Sequence, residues 1–158
     1  MESIVIKMHD QYYQKDSDIK KLIRYIAGET EKIEKTRYCN GRGLPCNCKK
    51  ASKAIIEVQK GYRKDSQRRI YHLFVSFPDY VTDANYVKLV AESIADMLYE
   101  KHQIYYGVHE DTDNLHIHFA INAVSYVDGR KWHQSKKEFE KMKKEIQKIE
   151  KKIHQSFI

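Results

Sequence analysis

The 158-residue sequence predicts an α+β sandwich, a largely antiparallel sheet with helices packed on it and a histidine-lined cleft on the other face. Three observations predict it. Short apolar runs of period two alternate with stretches of helical spacing, in the order strand, helix, loop-helix, strand, helix, hairpin, helix. Within residues 104–122 two such runs flank the turn-rich Glu110-Asp-Thr-Asp-Asn114, which closes a hairpin. The length suits a single core, so residues 1–158 are read as one domain.

Taken in order, Ser3 to Met8 alternates apolar and polar residues and reads as the first strand. Asp16, Ser17 and Asp18 offer N-caps for a helix whose Ile19, Leu22, Ile23 and Ile26 share one face before Gly28 stops it. Tyr25 falls on the flank of that apolar stripe, where it can point into a cleft. From Glu29 to Lys50 the periodicity breaks up around Gly41, Gly43 and Pro45, and the stretch reads as an irregular loop. Its Lys32, Lys35, Arg37 and Arg42 could lie along a phosphate backbone, or simply face solvent. Ala51 to Tyr62 is a short helix and Ile70 to Phe77 a strand ended by Pro78. Thr82 or Asp83 caps a helix carrying Val87, Val90, Ala91, Ile94 and Leu98 on its inner stripe. After the hairpin the chain stays extended to Tyr126 and turns at Asp128-Gly129. Lys136 to His154 is a helix with Phe139, Met142, Ile146, Ile149 and Ile153 at steps of three and four, and eight lysines against four glutamates make it basic. It either packs on the sheet or continues as a coiled coil.

The hairpin carries the chemistry. From Leu115 on, Leu115, Ile117, Phe119 and Ile121 point one way, and His116, His118, Ala120 and Asn122 the other. Residues two apart on a strand lie roughly 7 Å apart, so both imidazoles can lean onto one ion. The turn brings His109 back beside them, and three of the chain's 8 histidines thus share one window opposite an unbroken apolar face. Three neutral imidazoles leave coordination positions open for water or a phosphate oxygen. Asp111 is placed to orient one ligand imidazole through its second nitrogen.

The remaining numbers narrow the function. With 29 Lys+Arg against 22 Asp+Glu the chain carries +7, which suits a polyanionic partner. No run approaches a membrane span and the N-terminus lacks the layout of a secretory signal, so a cytoplasmic protein without membrane insertion is expected. Cys39, Cys46 and Cys48 are too few and odd in number for a disulfide framework and read as free thiols. Trp132, the only tryptophan, sits between basic residues, where it can stack on a base or close a core.

His109-Glu-Asp111-Thr-Asp-Asn-Leu-His116-Ile-His118-Phe-Ala-Ile-Asn122 resembles the third motif of MobP-type conjugative relaxases, the relaxase and mobilisation nuclease domains of the HUH endonuclease superfamily. The spacing from the first histidine to the pair, seven and nine residues, agrees. Leu22-Ile-Arg-Tyr25-Ile is similar to the first motif, in which a helix presents a nucleophilic tyrosine; Tyr12 and Tyr13 are the fallback. Tyr71-His-Leu-Phe-Val-Ser-Phe77 and Gly129-Arg-Lys-Trp-His133 are similar to further segments. Asn114 stands where many members carry another histidine.

The resemblance implies an HUH-type sandwich and site- and strand-specific nicking and rejoining at an origin of transfer. His109, His116 and His118 would hold a divalent ion, Mg²⁺ or Mn²⁺ by the family's habit, while the three imidazoles also suit Zn²⁺, Ni²⁺ or Co²⁺. Tyr25 would form a 5′-phosphotyrosine link, with Asp111 assisting. Lys32, Arg37, Arg42, Asn122, Arg130, Lys131 and Trp132 would contact DNA. Partners would be single-stranded and duplex DNA at the origin, accessory relaxosome proteins and a coupling protein, and the domain would be the N-terminal part of a longer protein. Alternatives are a rolling-circle replication initiator, in which the histidine motif usually precedes the tyrosine, and a catalytically silent nucleic-acid-binding module.

Overall fold

A computed structural model describes residues 4–30, 35–111 and 113–157. Five strands, β1 (Val5–Met8), β2 (Lys35–Arg42), β3 (Ile70–Ser76), β4 (Ile104–Glu110) and β5 (Leu115–Asn122), form one sheet in the order β1-β3-β5-β4-β2. Every neighbouring pair is antiparallel. The helices are α1 (Asp16–Ala27), α2 (Cys48–Gly61), α3 (Ala84–Leu98) and α4 (Lys136–Ser156). The expected α+β sandwich is therefore observed, with β5 at its centre.

The period-two pattern of β5 decides what each face does. Leu115, Ile117, Phe119 and Ile121 join Leu73, Val75, Tyr106 and Val108 in a buried cluster closed by Val87, Val90 and Ile94 of α3. Met142 and Ile146 of α4 complete that cluster, so the terminal helix packs into the domain. The histidine face is partly roofed as well. Ile19, Ile23 and Ile26 of α1 and Ala51 and Ile55 of α2 pack with Ile70, Tyr105 and Ala120, which leaves the cleft beside these helices.

Local signals explain the helix ends. The Asp18 carboxylate accepts the N–H groups of Gln14 and Lys15, both at 3.0 Å, so α1 is capped from its own first turn. Gly28 ends α1 at φ +78°, and a Cβ there would stand 2.5 Å from Thr36 Oγ1. Asp83, one of the two expected caps, accepts from Asn85 N–H in front of α3. Asn47 and Ser135 cap α2 and α4 in the same way.

Three expectations are corrected. Residues 35–42 are not loop but the edge strand β2, paired with β4 through a register shift between Thr36 and Tyr38. Its partly buried side chains and that irregularity erase the alternation by which a strand is read. Helix α2 starts at Cys48, ahead of the expected Ala51. The strand expected to continue to Tyr126 ends at Asn122, beyond which the isolated bridge Val124–Lys131 holds the Asp128-Gly129 turn.

Candidate metal centre and its tyrosine

Strands β4 and β5 place His109 directly opposite His116, and His118 opposite Gly107. All three imidazoles are buried, and one nitrogen from each lies within 4.8 Å of the others. Phe74 of β3 packs against His116 and His118, with ring centroids at 5.2 and 5.3 Å. A metal–nitrogen bond of about 2.1 Å sets neighbouring ligand nitrogens about 3–3.5 Å apart, so the trio fits a divalent ion after contracting by at most about 1–2 Å.

Hydrogen bonds select the nitrogens on offer. His109 Nε2 donates to the Ile26 carbonyl at 2.9 Å, and only a protonated nitrogen can do so. Nδ1 of His109 then keeps the lone pair. Helix α1 comes this close because position 107 is glycine, where a Cβ would stand 2.7 Å from that same carbonyl. His118 Nδ1 lies 2.8 Å from His72 Nε2, and His72 Nδ1 lies 3.2 Å from the Tyr13 hydroxyl. Of the two proton arrangements that satisfy the row, the one that leaves a lone pair on His118 Nε2 for an ion has His118 Nδ1–H donating to His72, whose Nδ1–H donates to Tyr13. Burial pushes the Tyr13 phenol up to about 12, so it stays neutral in this role. His9 stacks on His72 with centroids 3.9 Å apart and planes at 3°.

The Tyr25 hydroxyl lies 3.1 Å from His118 Nε2, the nitrogen an ion would use. Ile19, Leu22, Ile23 and Ile26 anchor α1, which fixes the flank on which Tyr25 stands. Its ring is 4.8 Å from that of His118 and 5.4 Å from that of His109. Of the fallback tyrosines, Tyr13 is buried and tied to His72, and Tyr12 is half-exposed beside Arg68. A groove of about 270 Å³ opens beside Tyr25, lined also by His9, Tyr13 and His72.

The other expected residues divide. Asp111 follows β4 directly, and its Oδ1 accepts the N–H groups of Asp113 and Asn114, shaping the turn. Asn114 donates to Ser76 Oγ at 3.1 Å. Arg37 pairs with Glu110 at 2.9 Å on the edge strand. Arg130 is exposed, Lys131 donates to the Ser66 carbonyl at 2.7 Å, and Trp132 is half-buried against Tyr71 and His102.

Lys32 lies outside the described residues. Two assignments are corrected. Arg42 bonds Asp96 of α3 at 2.7 Å and the Tyr106 hydroxyl at 2.9 Å, which turns it to the face away from the histidines. Asn122 is fully buried, accepts from Gln59 and from Val124 N–H and donates to Gln103. It ties α2 to the sheet and has no surface to offer DNA.

Sequence reasoning missed His72 and His9, and it offered Tyr13 as a fallback nucleophile rather than as a partner of His72. The alternation of Tyr71-His-Leu-Phe-Val-Ser-Phe77 did put His72 on a face with Phe74, but only the pairing of β3 with β5 shows that this face adjoins His118.

Three imidazoles and a phenol meeting on one sheet face define a class, that of sheet-borne sites able to hold a metal beside a tyrosine. The chain belongs to a known family: residues 25–154 match the MobA/VirD2-like relaxase nuclease domain. Protein TraI of Escherichia coli is 34% identical over 113 residues, 70% of this chain and 15% of that protein. A second TraI from E. coli is 35% identical over 115 residues. Protein rlx of Staphylococcus aureus is 31% identical over 97 residues, 61% of this chain and 30% of that protein. The chain thus spans about 15% of the length of its TraI relatives. A solved structure described as "Molecular Basis of Vancomycin Resistance Transfer in Staphylococcus aureus" shares the fold, with TM-score 0.66 over 97% of this chain and 93% of its own at 15% identity. The protein is a relaxase nuclease domain. Among the described residues no helix is long and apolar enough to cross a membrane.

Proposed function

We propose that this domain nicks and rejoins one DNA strand at an origin of transfer, through attack by Tyr25, in conjugative transfer or mobilisation. The observation that carries the reading is the Tyr25 hydroxyl 3.1 Å from His118, one of three imidazoles gathered for an ion. Tyr25 preceding the histidines in the chain also favours a relaxase over a rolling-circle initiator.

A divalent ion bound by His109, His116 and His118 would supply positive charge at the scissile phosphate. Tyr25 Oη gives up its proton and attacks phosphorus, the P–O3′ bond breaks, and the 3′ oxygen takes up a proton from water and leaves as a hydroxyl, with Tyr25 ester-linked to the 5′-phosphate. One phosphodiester replaces another, so the bond energy is retained and the reverse attack reseals the strand. Asp111, two residues beyond His109, would hold the ligand geometry at the turn. Arg37, Arg130, Lys131 and Trp132 would contact the strand. Accessory relaxosome proteins and a coupling protein would act with the domain, which would form part of a longer protein.

The test is a supercoiled plasmid carrying the cognate origin, incubated with protein and Mn²⁺ or Mg²⁺. Wild type should yield nicked circles with protein on the 5′ end, and Tyr25→Phe should lose the adduct while still binding metal. An adduct retained by Tyr25→Phe would move the nucleophile elsewhere.

A further inference from the structure

A groove of about 630 Å³ lies off the histidine site, between the segment after β1, the start of β3 and the segment leading into α4. Its size is that of a small-ligand pocket. Tyr12, Tyr71 and Trp132 supply aromatic surface, and Arg68, Lys131 and Lys136 bring cations against the single carboxylate of Asp10. Tyr12 is 51% exposed, so its ring face is open to a ligand in the groove. The Arg68 guanidinium lies over Tyr71 at 4.5 Å and 5.9 Å from the Tyr12 ring, a flat charged platform in the wall.

Two further observations point to a ligand. Gln134 lines the groove, and its Oε1 meets no donor among the described residues. Lys131 is depressed below the ordinary lysine range, first by burial and then by the nearby cations Arg69 and Lys64, so an anion here would relieve a crowd of positive charge. His9 borders both this groove and the one that holds Tyr25 and His72, so the two meet at its ring.

We propose that this groove is a second nucleic-acid subsite, which captures one unstacked base of the single strand passing Tyr25. This rests on the relaxase reading above and adds a place where that strand is gripped. A base needs a flat aromatic or guanidinium face, and its phosphates need cations; the groove offers both side by side. A bare phosphate would leave the aromatic walls unused. A membrane would ask for a broad apolar patch, which a groove with three cations does not present.

Trp132 is the only tryptophan, so its fluorescence reports on this groove directly. The full chain, held in chelator so that no strand is cut, is titrated with oligothymidylate about ten nucleotides long, within the span of single-strand sites. Saturable quenching of Trp132 is expected. Tyr12→Ala should weaken binding about 5- to 150-fold, the worth of one stacked base. An abasic position moved along the oligonucleotide should cause a similar loss at one register, with little further loss in Tyr12→Ala. Absence of quenching, or abasic substitutions tolerated at every register, would overturn the subsite. Plasmid nicking is scored separately. An adduct without quenching removes the subsite and leaves the relaxase reading standing, whereas quenching without an adduct does the reverse.

Discussion

On β5 neighbouring side chains lead different lives. Phe119 and Ile117 enter the cluster beneath α3, whereas His118 and His116, one step away, face α1. The first face is sealed from end to end by apolar contacts. The second is divided: α1 and α2 cover Ile70, Tyr105 and Ala120, and where their cover stops the imidazoles begin. A face closed throughout can supply stability without constraint from chemistry. The divided face must keep polar groups dry yet satisfied, and it does so by hydrogen bonds from His109 to Ile26 and from His118 to His72.

The comparison is broken most severely by truncating adjacent residues of this strand. Phe119→Ala should cost about 3–5 kcal/mol, read by urea unfolding, because its ring is fully buried in the sealed cluster. His118→Ala should leave that midpoint far less changed but abolish calorimetrically detectable Mn²⁺ binding, since a three-ligand site rarely survives on two. If His118→Ala instead unfolded the domain as Phe119→Ala does, the division of labour between the faces would be wrong.

The same contrast explains what could be read from the sequence. Alternation in β5 assigned every residue to its correct face, and spacing brought His109 to His116 because a tight turn leaves the hairpin one register. Alternation says nothing of what lies above a face. Asn122 shares a side with His116 and His118, and the resemblance gives it a DNA contact, yet α2 covers that end and Gln59 claims its carbonyl. Arg42 was misplaced because β2 was read as loop, and a loop assigns no face. The relay through His72 depends on β3 lying beside β5, a strand order that no local pattern encodes.

His72→Ala sharpens the comparison at intermediate cost. The imidazole touches no ion, so its role is positioning: it accepts the Nδ1–H of His118 and thereby holds the ligand tautomer. Removing such a partner typically weakens metal binding about 10- to 100-fold. Calorimetry with Mn²⁺ should show that loss, and His72→Gln should recover part of it, because an amide oxygen can still accept from His118. An equal loss in both variants would reduce His72 to a packing residue.

The smallest effect expected is a gain. An ion would use the lone pair of His118 Nε2, and without one the Tyr25 hydroxyl is hydrogen-bonded to that nitrogen. An ion at that nitrogen must displace the phenol, so metal binding and this hydrogen bond exclude each other. Tyr25→Phe removes a bond that exists only in the metal-free state, which raises the free energy of that state alone. The net worth of such a bond, about 0.5–1.5 kcal/mol, translates into Mn²⁺ binding about two- to twelve-fold tighter in the variant. Weaker binding in Tyr25→Phe would mean that the phenol helps hold the ion. The displaced hydroxyl would then be a ligand, and the attacking oxygen would have to be sought elsewhere on the same face.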